Sequence, residues 1–414
     1  MLFTAVFGYE VISHKEVPRQ LGWIDFSKNE RNKVLSVIHQ LEEPAAVDEL
    51  GLGAIRDGFA DYFFPGTSTV QTRAKYFLIV PYILKEAGSG EYGSDLNTIL
   101  KKIDNEERGC RDILIRTSSN GIIGGTIPNS WVLRTPLDIY WNGIKRLGIF
   151  KEDLSVKEYL LQSMLQRSNK NKRGYGNRES TEEHNRDDYD AGDLTTFQFW
   201  SLGNTYQRNW RNGLTIELLP QEASFLRNQV IVNQRNTLFA YVLKNNISLE
   251  KYESFGAFTA DLDGSIGEEL QNMIKLANDF NNLASLITTR YNLIVSCGRN
   301  RRAIERWSVY SQDLERRSSV DLLEIFHRLG IRSSGTKTFL LKIQDAFNKG
   351  NIDKADEMII ARESNIKRPS RAKTNHAGEY PEQQWIGAFM YDYRFTPTKR
   401  IVADIMNAEV LSDV

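Results

Sequence analysis

"FFPGTSTVQTRAKYFLIVPYI", residues 63–83, holds a turn, a helix start, a polar face and an apolar run. Pro65 and Gly66 make the turn, and Ser68 with Gln71 three residues on matches a capping box. On a helical projection Val70, Ala74, Phe77 and Pro81 share one face, while Gln71, Thr72, Lys75 and Tyr76 lie largely opposite, with Arg73 at the flank. From Phe77 onward the segment is apolar nearly all round and is expected to be buried. Two readings follow for its first turns. A helix that presents polar side chains after a Gly-containing turn is what a helix-turn-helix reader requires, because Gln and Arg bond base edges while Thr and Lys bond phosphates. The other reading is a capped helix that buries one face and solvates the opposite one.

The chain has 414 residues, which suits two or three domains at ~100–200 residues each. A hydrophobic content of 41% and a charged content of 26% exclude a disordered chain and a membrane protein. The 53 basic and 53 acidic residues cancel, so any attraction to nucleic acid or anionic lipid must come from local patches. Cys110 and Cys297 stand alone with no CxxC spacing, which argues against a disulfide framework and a cysteine zinc site and fits a reducing cytosol. The start "MLFTAVFGYE" lacks the basic residues, the cleavage pattern and the length of a signal peptide and reads as a strand. No apolar run reaches the ~18–20 residues that span a bilayer. A soluble, cytoplasmic protein is expected.

Upstream of the opening segment, Val34, Leu35, Ile38 and Leu41 recur at helical spacing, and Ser27 with Glu30 resembles a capping box. A second helical stretch in residues 47–64 has Leu50, Ile55, Phe59, Tyr62 and Phe63 on its apolar side. Downstream, β-branched residues around Asn120-Gly121 and Gly124-Gly125 predict a hairpin over 113–127. Then Thr135 caps a helix with Pro136 at its first position and Gly148 at its end.

Residues 167–193 change character: "RSNKNKRGYGNR" carries five basic residues and no acid, and "ESTEEHNRDDYDAGD" carries seven acids and one Arg. With few apolar residues to bury, this reads as a charged, flexible linker. It divides an N-terminal domain, 1–166, from a C-terminal one, 194–414. The latter contains a helix from Pro220 and an apolar seam of Met273, Leu276, Phe280, Leu283, Ile287, Tyr291 and Ile294, which predicts a long helix over 270–317 bent near Gly298. Such a seam is more often internal core than a coiled-coil interface.

No GxxxxGK[ST] loop, HExxH pair, GxSxG elbow or HxK pair occurs, and the five histidines show no ligand spacing. No catalytic residue, metal or cofactor is therefore assigned. Asp261 and Asp263 in "TADLDG" read as a turn rather than a metal site. Two further basic clusters join the 71–75 segment as candidates. In "CGRNRRAIERW", Arg299, Arg301, Arg302 and Arg306 lie beside Trp307, and residues 287–317 hold seven Arg against three acids. Arginines interleaved with an aromatic suit phosphate contact or base stacking; a solvated helix end is the alternative. In "KRPSRAKTNHAGEY", Lys367, Arg368, Arg371 and Lys373 sit on a loop with no acid between Lys367 and Ala377, fit for phosphates, for an acidic partner or for solvent alone.

The segments "LGWIDFSKNER", "DELGLGAIRDGFADYFFPGTSTVQTRAKYFLIVPYI", "TPLDIYWNGIKRLGI" and "RAKTNH…YRFTPTKRIVADI" resemble an uncharacterised bacterial family known only as a domain of unknown function. The resemblance implies a component of an antiphage defence island of the Azaca-like kind, encoded beside a helicase that carries a phospholipase D-type nuclease domain. It brings no catalytic residues. Together these observations predict a mainly α protein with minor β structure (α+β), built from a helix-turn-helix or winged-helix-like N-terminal domain and a helical C-terminal domain. The expected function is a non-catalytic accessory subunit that binds nucleic acid, with DNA preferred, or the helicase–nuclease partner. Gln71, Thr72, Arg73 and Lys75 would contact DNA from one domain, and the Arg299 and Lys367 clusters would contact phosphates from the other. A pure scaffold and a cryptic nuclease or toxin are the alternatives.

Overall fold

The computed structural model describes residues 48–118, 120–126, 131–176, 198–262, 264 and 266–410. The expected N-terminal strand, the Ser27 and Glu30 box with its helix, and Asp263 lie outside them.

Helix α1 (Gly53–Phe63) buries Ile55, Phe59 and Phe63 at four-residue spacing, the spacing that aligns side chains on one face. Helix α2 (Tyr76–Ser89) is buried on every side from Tyr76 to Leu84. Pro81 removes one of its backbone hydrogen bonds, and packing all round holds the helix together in spite of that loss. Helix α3 (Leu96–Thr117) starts where the Asp95 carboxylate accepts the Thr98 N–H at 2.8 Å, and its buried stripe is Ile99, Ile103, Glu107, Cys110 and Leu114.

Among the described residues the hairpin expected over 113–127 does not form. Residues 113–117 complete α3, because Leu114 continues its buried stripe. Gly121 and Gly124 then take positive φ values of 75° and 76° in turns. The Tyr76 hydroxyl accepts the Ile123 N–H at 2.9 Å and Thr72 Oγ1 donates to Gly121 O at 2.6 Å, so side chains occupy the groups a second strand would have paired. Helix α4 (Pro136–Arg146) carries the expected cap, a reciprocal Thr135 and Asp138 box with Pro136 at its first position. Helix α5 (Val156–Gly176) runs ten residues into the stretch expected as linker; residues 177–197 lie outside the described residues.

Beyond, Phe150 and Trp200 form an isolated antiparallel bridge. The remaining helices are α6 (Pro220–Asn233), α7 (Leu238–Lys244), α8 (Phe255–Ala260), α9 (Glu268–Val295), α10 (Arg301–Tyr310), α11 (Leu314–Ser318), α12 (Leu322–Arg328), α13 (Ser334–Asn348), α14 (Ile352–Lys367) and α15 (Phe395–Val410), with 3₁₀ turns at Ser311–Asp313 and Lys373–His376. The single long helix expected over 270–317 is broken into α9, α10, a 3₁₀ turn and α11. Cys297 at φ 50° and Gly298 at φ 73° reverse the chain after α9, and the Gly298 N–H closes on Leu293 O at 2.7 Å, a left-handed C-terminal cap. The apolar seam of α9 is buried from Met273 to Tyr291, as internal core.

Among the described residues the bridge is the only β feature, so the architecture is all-α and the expected minor β structure reduces to one residue pair. No helix-turn-helix or winged helix is found among them. The expected reading helix is a non-helical turn up to Lys75, and α2 begins only at Tyr76. None of the described helices is long and apolar enough to cross a membrane. One hydrophobic core runs from Leu50 to Ala408, and polar bonds cross the gap in the described chain: Tyr82 to Thr205 O at 2.8 Å, and Trp200 Nε1 to the Tyr159 hydroxyl at 2.9 Å.

Candidate nucleic-acid interface

The polar residues of the 71–75 turn point inward. Gln71, 1% exposed, donates from Nε2 to Gly66 O at 3.1 Å and accepts the Ser68 N–H at 3.1 Å, locking its own turn. The Tyr140 hydroxyl accepts the N–H groups of Thr72 and Arg73 at 2.9 and 3.1 Å. Arg73 Nε donates to both Asp404 oxygens at 2.9 and 3.0 Å, and Asp404 also accepts the Ala74 N–H at 2.7 Å. Burial raises the Asp404 carboxyl above the ordinary range, with the Arg73 and Ala74 bonds opposing it. Lys75 Nζ lies 2.6 Å from Glu222, both side chains 5% exposed. The Arg73 and Lys75 side chains tie the turn to α15 and α6, the Tyr140 hydroxyl ties its backbone to α4, and in this arrangement the four residues are not presented to an outside partner.

The two C-terminal clusters meet at the end of α9. Arg299 follows the reversal, donates from Nη2 to Gly378 O at 3.0 Å and sits 3.3 Å from Glu382, which brings it against the segment that follows the 3₁₀ turn at Lys373–His376. Arg301 and Arg302 occupy the first turn of α10, exposed, with no ion pair among the described residues. Arg306, one turn beyond Arg302 on the same face, stacks its guanidinium 3.5 Å from the centre of the Phe389 ring and donates to Phe389 O at 3.3 Å. Tyr310 and Trp385 stand 5.0 and 5.5 Å from the same guanidinium, and Arg317 covers Tyr310 at 4.1 Å. Burial among these rings lowers the Arg306 pKa, and arginine still stays charged at neutral pH.

The 367–373 loop divides by role. Lys367 and Lys373 both pair with Glu49, Lys373 at 2.8 Å, and fully buried Glu363 accepts the N–H groups of Lys373 and Thr374 at 3.1 and 2.9 Å. The two lysines therefore anchor the loop. Arg368 and Arg371 remain exposed.

Sequence reasoning missed the support of this face. Asn292, buried in α9, donates to Ile386 O at 2.9 Å and accepts the Ile386 N–H at 2.8 Å. Asn281 does the same for Tyr391 at 3.0 and 2.9 Å, and Asn300 Nδ2 donates to Gln384 O at 3.0 Å. Three asparagines thus strap residues 384–391 to the α9 and α10 helices, and between the straps stand Phe389 and Met390, 49% and 52% exposed. No local signal marked them, since Asn281 and Asn292 lie about three helical turns apart on a face roughly 130° from the apolar seam, where asparagine reads as solvated.

Elsewhere, buried Glu86 accepts bonds from Arg211, Trp210 and Tyr92; these outweigh its burial and hold its carboxyl below the ordinary range. Among the described residues no group of three or more His, Cys, Asp or Glu could hold a metal ion. Two shallow clefts, of about 440 and 460 Å³, lie beside Asn278 with Asp279 and beside Lys145 with Asn228, away from the arginine face.

The arginine face and its straps lie beyond residue 169, where the similarity to a family ends. Residues 19–169 match a family of unknown function, DUF6361, which covers the 63–83 turn and helix; the match shows no link to a defence system. No curated protein and no solved structure matches the chain.

Proposed function

We propose that this chain is a non-catalytic accessory protein that binds nucleic acid through the face formed by Arg299, Arg301, Arg302 and Arg306. The carrying observation is the state of Arg301 and Arg302: exposed, without an ion pair among the described residues, and set beside a guanidinium already stacked on aromatic rings. Most of the other sequence-level candidates are spent inside the molecule; these two are free to meet phosphate. Arg368 and Arg371 extend the same charge from the neighbouring loop. In this proposal the chemistry belongs to the helicase–nuclease partner that the family resemblance implies.

Fluorescence anisotropy of labelled DNA at several salt concentrations tests the binding. Each phosphate contact contributes ~0.7–0.9 to the slope of log affinity against log salt, so R301A/R302A is expected to flatten that slope by about 1.5 and weaken binding about tenfold at low salt. Binding that ignores salt, or an unchanged slope in the double variant, overturns the proposal.

A further inference from the structure

Resting on that reading, we infer that the face takes unpaired rather than duplex nucleic acid, with Phe389 as the platform on which a base stacks. Phe389 and Met390 are consecutive apolar residues, each about half exposed, and among the described side chains every other aromatic one is buried or partly buried. Leaving them in water is unfavourable, and an unrestrained loop would turn them inward. This segment is not unrestrained: Asn292 clamps both backbone groups of Ile386, three residues before Phe389, and Asn281 clamps both of Tyr391, two residues after it. The straps hold an exposed ring in place.

The surroundings of the ring say what it can meet. Arg306 lies 3.5 Å over one face and Trp385 packs at 5.0 Å with a 57° tilt, so the exposed half of Phe389 is the part turned away from both. A flat π-system laid there would lengthen a series in which Arg317, Tyr310, Arg306 and Phe389 already alternate cation and ring. A nucleobase offers such a surface only when unpaired, because in a duplex its faces are covered by its neighbours and only its edges reach the grooves. Arg302, one helical turn from Arg306, and Arg301 beside it supply the cations for the adjoining phosphates. A protein partner is the competing occupant, since Ile304 and Val309 are also exposed on α10. The unpaired arginines favour the polyanion.

The test compares a fluorescent twelve-residue oligothymidylate with a duplex of the same length, for the wild-type protein and for F389A, F389L and F389W, each checked for folding by thermal melting. The expected results are tighter binding of the single strand, a loss of about tenfold in F389A and F389L, and recovery in F389W, in line with the usual contribution of one base–aromatic stack. Equal affinity for both oligonucleotides with F389A unchanged, while R301A/R302A still loses binding, overturns the stacking inference and leaves the phosphate face standing. Absence of binding to either oligonucleotide at low salt overturns both.

Discussion

Lys75 and Glu222 are 147 residues apart in sequence and 2.6 Å apart in the fold, and that contrast governs what single residues revealed. Helical angle put Lys75 on a polar, outward face, yet its charge is satisfied by a carboxylate no local pattern announces. The same holds for Arg73, whose partner Asp404 is 331 residues away. What local chemistry controls was legible: the Thr135 cap, Pro136 at the first turn and the burial of Phe77 onward all follow from near neighbours. Glu107 shows how a buried site can be tested at this scale. Burial pushes its carboxyl up to about 8 from an ordinary 4.5, opposed by its bonds from Leu137 N–H and Thr135 and reinforced by Asp138 and Asp104. A raised carboxyl means that the folded protein keeps a proton which the unfolded chain has released, so its contribution to stability falls as pH rises from about 4.5 to 8 and levels off above. Glu107→Gln keeps an acceptor for the Leu137 N–H and removes the titration. Denaturation at pH 5, 6.5 and 8 should show the variant gaining on the wild type as pH rises, by up to roughly 4 kcal/mol at pH 8. Parallel pH profiles would show that Glu107 does not carry this proton.

At the scale of elements, periodicity found α9 and its seam but ran it on through α10, since both halves are amphipathic and the reversal between them is held by backbone bonds rather than by a proline. Gly298 was the visible mark. Asn292 then fixes a segment with no periodicity of its own, and its removal should be felt there. Asn292→Ala leaves the Ile386 N–H and carbonyl buried without partners, at a cost of about 2–4 kcal/mol. Urea denaturation should register that loss, and limited proteolysis should cut faster within residues 384–391. Asn282→Ala, on the same helix but with no strap to make, should stay within about 0.5 kcal/mol of the wild type. If both variants behave alike, the segment is held by its aromatic packing and not by the asparagines.

For the molecule as a whole, a run of charge suggested a linker and two domains, because composition registers what a segment cannot bury and nothing of what its flanks bury together. Among the described residues the flanks share one core. Lys75, Tyr82, Glu86 and Tyr159 on one side find Glu222, Thr205, Arg211 and Trp200 on the other, and Phe150 pairs its backbone with Trp200. A fragment ending at residue 176 would carry Lys75 and Glu86, each less than 6% exposed in the intact fold, with no counter-charge, and would leave Tyr82, Phe150 and Tyr159 without the surfaces that cover them. Exposing three large aromatic side chains forfeits about 1.5–3 kcal/mol each, comparable in sum with the ~5–15 kcal/mol that holds an ordinary domain together. Residues 1–176 expressed alone should therefore give no cooperative melt by circular dichroism. The same fragment co-expressed with residues 198–414 should co-purify and recover one transition. A sharp melt of the isolated fragment would instead establish 1–176 as an independent domain, with the bonds to Glu222, Arg211 and Trp200 reduced to a dispensable interface.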